Sequence, residues 1–344
     1  MGYENVFVLI SFFIFDIVQT TQYPNSMKRF RINPSKLLLL VMIISLASCA
    51  EDEVLPKVTH GRLERLTPIK SEYVSDRTVD VWLPDQYDGN TALPVLYMHD
   101  GQMLFDASIT WNNQSWEVDS IVQTLIDRNE IEPLIVVGIH NVSSERHSNY
   151  FPQEPFERLS QSVQDSLLQL YRNSETPLFS KPINSNNYLS YLTQELIPAI
   201  DATYATKQEA SGRVLAGSSM GGLISWYATT KYPETFGGAA CLSTHWPGVF
   251  SNDHNPVPAA FIEYLSENAP SADTHKLYFD HGTATLDSLY PIHQKRVDRL
   301  LALSGYDSIN YLSRVFEGEN HTERAWSKRL HLPLTFFFGK SEQR

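Results

Sequence analysis

Cysteine is scarce. The 344 residues hold two, Cys49 and Cys241, too few for a disulfide-dense scaffold. Basic charge is short as well: 27 Lys and Arg face 39 Asp and Glu, a formal net charge of −12. A nucleic-acid partner would need a basic face, so this balance speaks against one. Internal repeats and low-complexity tracts are absent, which removes solenoids and linker-like chains from consideration. Long apolar runs are missing too. Val6 to Val18 and Leu37 to Leu46 both fall short of the roughly 20 residues that span a bilayer.

Apolar residues are plentiful, at 42%, enough for one large domain or two small ones. The N-terminal region reads as a targeting segment. Lys28, Arg29, Arg31 and Lys36 form a basic front, Leu37 to Leu46 a short apolar stretch, and Ala47 and Ser48 small residues before Cys49. Residues 27–48 therefore read as a secretory signal. Leu46-Ala47-Ser48-Cys49 resembles the lipobox of bacterial lipoproteins, which implies a lipid on Cys49 and a tether to the membrane. Met27 is then the natural start, and residues 1–26 are expected to be an over-long start. An anchor is the alternative, for which Val6 to Val18 is short. The acidic Glu51-Asp52-Glu53 resembles an export tag, pointing to a cell-envelope lipoprotein of the outer membrane on its outer face. A solvated acidic linker is the plainer reading. Residues 49–60 read as that linker. Cys241, in GGAACLSTHW, reads as a small buried residue.

From residue 61 to 340 the pattern is that of one catalytic domain. Thr78 to Leu83 alternates as a half-buried strand does. Pro94 to Met98, Ile135 to Ile139 and Gly212 to Ala216 are continuous apolar runs, as in strands covered on both faces. Ala239 to Leu242, Lys276 to Phe279 and Asn310 to Phe316 supply later strands. Helical spacing appears at Trp116 to Ile126, Leu223 to Thr230, Ile292 to Leu303 and Glu323 to Leu330. Strands alternating with helices predict an α/β fold, a central, mainly parallel sheet with helices on both faces. Residues 141–187 break the alternation. They read as an insertion leaving a strand end, with one helix from Phe156 to Leu170, and as a functional lid or loop.

The chemistry-bearing signal is Gly217-Ser218-Ser219-Met220-Gly221, a G-x-S-x-G pentapeptide between a strand and a helix. Register makes Ser219 the nucleophile and Ser218 its neighbour. The small residues two places away allow the sharp turn that exposes a hydroxyl, and the helix that follows directs its positive end at the site. A serine needs a base and an orienting acid, in the order Ser, acid, His for an α/β-hydrolase fold. His321, in a polar turn after the last strand, is the candidate base, and His331 the plainer alternative. Asp287 and Asp280 both compete for the acid, Asp287 beyond a glycine turn and Asp280 still near its strand. The oxyanion donors expected are the amides of Met220 and of Gln102 or its neighbours in the loop opened by Gly101, where the backbone could approach a ligand.

Taken together, YMHDGQMLFD, TWNNQSWEVD, GSSMGG, DHGTATLD and GENHTERAW resemble the esterase family of α/β hydrolases that includes esterase D, enterochelin esterases, and feruloyl and acetyl-xylan esterases. The resemblance runs from about residue 60 to 338. It implies ester hydrolysis through an acyl-enzyme with no metal or organic cofactor, and it favours Asp287 as the acid. By analogy, Trp111, Trp116, Arg146, Tyr150 and Trp246 would lie near the pocket. The expected substrate is a small-molecule or oligosaccharide ester, with feruloyl or acetyl groups on carbohydrate preferred. Acyl transfer by the same triad, or binding without chemistry, are the competing readings.

Overall fold

The computed structural model describes residues 54–340 and the backbone of Val18–Gln19 and Arg31–Ile32. Those two short segments pair antiparallel, with Val18 opposite Ile32. The run Leu37 to Leu46, Cys49 and the acidic residues after it lie outside the described residues. So does all but the end of the run Val6 to Val18. Among the described residues, no helix is long and apolar enough to cross a membrane.

The remaining chain builds one eight-stranded sheet. Its strands are β1 (Arg62–Arg65), β2 (Val79–Leu83), β3 (Val95–His99), β4 (Ile135–Ile139), β5 (Arg213–Ser218), β6 (Gly238–Leu242), β7 (Lys276–Gly282) and β8 (Tyr311–Phe316). The spatial order is β1-β2-β4-β3-β5-β6-β7-β8, with β2 antiparallel to both neighbours and every pairing from β4 to β8 parallel. This is the α/β-hydrolase architecture.

The two-sided burial expected of continuous apolar runs is realised strand by strand. Val95 and Tyr97 of β3 enter one apolar layer, Leu96 and Met98 the other. Val118, Val122 and Leu125 of helix α1 (Val118–Asp127) cover the second layer together with Leu330, Leu334 and Phe338. The first is covered by Leu223 and Ile224 after the elbow, by Val257 and Phe261, and by Val297 and Leu301. Because β3 to β8 run parallel, their carboxyl ends share one edge, where ligands bind in such sheets.

Three boundaries differ from expectation. Residues 55–60, read as linker, are docked: Thr59 N–H donates to Asp119 Oδ2 (2.6 Å), and His60 carbonyl accepts from Trp82 Nε1 (2.8 Å). The single helix expected over Phe156 to Leu170 is two, Gln153–Glu157 and Gln161–Leu168, because Ser160 turns extended and starts the second. The helix expected over Glu323 to Leu330 stops at Ser327, and a new one begins at His331. Unforeseen was a long helical stretch from Ser185 to Thr203 with a π-helical centre, Tyr191–Leu196. Its buried Tyr188, Leu189, Leu192, Leu196 and Ile200 follow helical spacing that was present in the sequence.

Candidate active site

At the end of β5 the chain turns through Ser219, whose φ of 57° and ψ of −119° lie outside the regions an L residue favours. Helix Met220–Lys231 starts immediately afterwards. The glycines make this bend sterically feasible. A Cβ on Gly217 would stand 2.7 Å from the Gly221 carbonyl carbon, and one on Gly221 would stand 3.3 Å from Asp100 Oδ2. Strand end and first helical turn are therefore in backbone contact, and Ser219 is left at the edge, 9% exposed.

His321 follows β8. Its N–H donates to Thr285 Oγ1 (2.9 Å), and the next residue, Thr322, caps helix Glu323–Ser327. Its ring lies edge-on to Trp326 at 4.9 Å. His321 Nδ1 is 2.5 Å from Asp287 Oδ1. Asp287 is fully buried and accepts two further bonds at Oδ2, from Ser243 Oγ (2.6 Å) and Gly282 N–H (2.5 Å). Burial opposes its charge, yet His321, Ser243 and Gly282 together hold its carboxyl below the usual range.

Asp280 stands apart from this pair. It receives Arg329 through Nε (3.1 Å) and Nη2 (2.9 Å), Tyr278 hydroxyl (2.8 Å) and the Ser243 N–H (3.2 Å). Burial pushes its carboxyl up, Arg329 opposing. Asp280 thus braces Arg329, which donates to Ser243 Oγ (2.9 Å), and Ser243 in turn holds Asp287. Ser243 also accepts from Trp326 Nε1 (2.9 Å). Ser243 and Arg329 were not singled out from sequence. Their partners lie dozens of residues away and no local motif marks them.

Ser219 and His321 line one cleft of about 650 Å³. Another wall of it is the loop after β3. Asp100, at φ 61°, accepts Arg146 through Nε and Nη2, both at 2.7 Å, and Asn141 Nδ2 at 2.6 Å. Gln102 lines the cleft, and its Oε1 accepts the Asn141 N–H (3.2 Å). The amides of Gln102 and Met220 stand in the first turns of their helices, where no intrahelical acceptor exists.

Of the residues expected near the pocket, Trp111, Trp116 and Arg146 line the cleft. Tyr150 and Trp246 do not. Tyr150 is fully buried beneath the Arg146 guanidinium, 5.4 Å from ring centroid to cation. Trp246 is packed between Trp226 and Phe279, with its N–H on Gln294 Oε1 (2.9 Å). Both belong to the packed interior. Gly101 is glycine because a Cβ would strike the Gly138 carbonyl carbon at 2.5 Å, where this loop packs closely on β4. His331 is exposed and borders a separate shallow groove. Cys241 is buried, and burial pushes its thiol up, away from reactivity.

The family model described as "Putative esterase" matches residues 71–335, well over half of the chain. The chain belongs to the esterase family. It is thus a serine hydrolase of esterase type by descent. This esterase is 23% identical over 274 residues to the uncharacterized protein YbbA of Bacillus subtilis, covering 77% of its own length and 94% of that relative. It is 28% identical over 200 residues to an endo-1,4-beta-xylanase/feruloyl esterase of Xylanibacter ruminicola, covering 54% of its own length and only 22% of that protein. Among solved structures it resembles the enterobactin esterase FES from Shigella flexneri, with a TM-score of 0.55 at 18% identity. That likeness covers 82% of this chain and 60% of the enterobactin esterase, and it concerns the fold.

Proposed function

We propose that the chain hydrolyses carboxylic esters through an acyl-enzyme on Ser219. The observation that carries this reading is the buried Asp287–His321 pair, at 2.5 Å, opening on the same cleft as a serine held on a strained elbow. His321 takes the Ser219 proton, and Ser219 attacks the carbonyl carbon. The amides of Met220 and Gln102 hold the oxyanion, and His321 then protonates the departing alcohol. Water repeats the sequence to release the acid. Asp287 keeps His321 in the tautomer that leaves its far nitrogen free to accept. Because the base must be neutral to accept a proton, turnover falls on the acid side.

The preferred substrates are feruloyl or acetyl esters on carbohydrate. Trp111, Trp116, Trp326 and Phe250 line the cleft and suit an aromatic acyl group. A relative named for feruloyl esterase activity points the same way. A second reading, the ester bonds of a siderophore, is favoured by the fold shared with an enterobactin esterase. We further propose that Cys49 carries a lipid and holds the enzyme in the cell envelope. The lipobox-like Leu46-Ala47-Ser48-Cys49 supports this reading.

The test is hydrolysis of p-nitrophenyl acetate, p-nitrophenyl butyrate, methyl ferulate, acetylated xylan and a catechol trilactone, each beside a Ser219→Ala control. Turnover that disappears in the control supports the esterase, and the preferred ester names the class. A folded protein with no turnover and no fluorophosphonate adduct would favour binding without chemistry. Transesterified product with added alcohols would favour acyl transfer. Labelled palmitate incorporated by the wild type and lost in Cys49→Ala tests the lipid.

A further inference from the structure

The turn that leaves β6 touches the nucleophile, the acid and the segment that carries the base. Its backbone brackets the elbow. The Leu242 carbonyl accepts the Ser219 N–H (3.0 Å), and the His245 N–H donates to the Ser219 carbonyl (3.2 Å). Ser243 stands between them, fully buried, with a φ of 44° that an L residue rarely adopts. Its N–H donates to the Asp280 carbonyl on β7 (2.7 Å). The elbow on one side and β7 on the other thus hold Ser243 in a strained conformation.

Three bonds at the Ser243 hydroxyl fix where its proton points. Trp326 Nε1 and Arg329 Nη2 each stand 2.9 Å from Oγ. An indole N–H and a guanidinium N–H can only donate, so together they fill both lone pairs of the hydroxyl. Arg329 is itself pinned by Asp280 through Nε and Nη2. The one proton left on Ser243 goes to Asp287 Oδ2, 2.6 Å away, an oxygen that in the ionised carboxyl only accepts. The Gly282 N–H shares that oxygen (2.5 Å). With Oδ2 filled from two sides, Oδ1 is left to His321 Nδ1–H. Both donors to Ser243 follow His321 in the chain, and the Trp326 ring packs edge-on against the His321 ring at 4.9 Å. The hydroxyl therefore links the base-bearing segment to the acid.

We propose that Ser243 is a positioning residue, whose O–H holds the Asp287 carboxylate with Oδ1 turned to His321 Nδ1–H and whose turn keeps acid and base in register with the Ser219 elbow. This rests on the reading of Ser219, Asp287 and His321 as a triad. Ser243 acts through Asp287 alone. It keeps its proton throughout, while the Ser219 proton passes to the far nitrogen of His321. A carboxylate fixed before the reaction holds the histidine in one tautomer and one orientation, and small misplacements of such a group cost rate steeply.

The test uses the full chain and p-nitrophenyl acetate, with the acylation burst, kcat and KM as readouts. Ser243→Ala removes the hydroxyl and keeps the Cβ. Ser243→Gly removes it too, and relieves the positive φ. Both are expected to slow acylation and kcat about 10- to 100-fold with KM nearly unchanged. A role in packing alone would not move the far-downfield proton resonance of His321 Nδ1–H, identified by its loss in His321→Gln. That resonance is expected to shift or vanish in both variants. Combining Ser243→Ala with Asp287→Asn is expected to give a protein no slower than Asp287→Asn alone, because one residue acts through the other. Folding is read from the melting transition, and should the alanine variant fail to fold, the glycine variant decides. A folded variant with wild-type kcat or an unmoved resonance would overturn the proposal, as would losses that multiply in the combined variant. A wild-type protein that takes no fluorophosphonate label on Ser219 would overturn the triad reading itself, a result distinct from these.

Discussion

The two walls of the cleft each hold a buried carboxylate, and they use it differently. On one wall Asp287 faces His321, a partner that can gain and lose a proton. On the other, Asp100 faces Arg146, whose charge is permanent, through two bonds of 2.7 Å. Both carboxyls are held below the usual range against the cost of burial. The first wall is built to move a proton. The second is built to stay still and to fix the loop that carries the Gln102 amide. The same residue type, similarly buried, thus becomes acid–base machinery or scaffold according to its partner.

The comparison can be broken at either wall. The largest effect is expected from Asp287→Asn, which keeps the packing and spoils the histidine tautomer. kcat should fall by about 10⁴-fold with little loss of melting temperature. Steady-state kinetics beside a thermal melt checks this, and a protein that melted early while keeping kcat would place Asp287 among the scaffold. Next is Arg146→Ala, which strands the Asp100 charge and should cost roughly 3–5 kcal/mol of stability. Denaturant unfolding measures it, and adding Asp100→Asn should recover much of the loss. If the double variant is no better than the single, the two groups do not act as a pair.

Smaller changes sharpen the contrast. Gly101→Ala forces a methyl towards the Gly138 backbone and should cost roughly 1–3 kcal/mol. If that loop carries an oxyanion donor, kcat falls with it, which separates loop displacement from simple loss of fold. The mildest test is pH. Burial depresses His99 and His147 to about 3 from 6.5. Below 6.5 the unfolded chain binds protons that the folded one refuses. Their stabilisation is therefore full above that pH and falls as pH drops towards about 3, by at most roughly 1.4 kcal/mol per pH unit for each histidine. The depressed Asp100 and Asp287 add a further loss once the pH falls through the carboxylate range. Unfolding free energy measured from pH 7 to 4 should decline steadily. A flat profile between pH 6.5 and 4.5 would mean that these histidines titrate normally.

Much of the frame could be read along the chain, because a buried parallel strand announces itself as a short apolar run and an elbow as closely spaced glycines. Ser219 and His321 stood out because each sits in a local pattern. Asp280 and Asp287 could not be separated that way. They lie seven residues apart on one strand and its following turn, and what distinguishes them is the arrival of Arg329 at one and His321 at the other. Tyr150 and Trp246 were misplaced for a related reason: an aromatic residue beside a motif carries no mark of which way its ring turns. The Ser160 break and the helix from Ser185 onward were legible in principle, the first as a capping residue and the second as helical spacing.

By itself, the sequence determined the strand and helix alternation, the bend at Gly217 and the order in which serine, acid and histidine follow one another. Those depend on steric and hydrophobic preferences that act within a few residues. Only the tertiary structure decided which carboxylate meets His321, that Ser243 and Arg329 support it, and that Asp100 spends its charge on Arg146. Such choices are made by side chains tens of residues apart, brought to one sheet edge because six parallel strands end there and because a buried charge must find its partner wherever the fold delivers one.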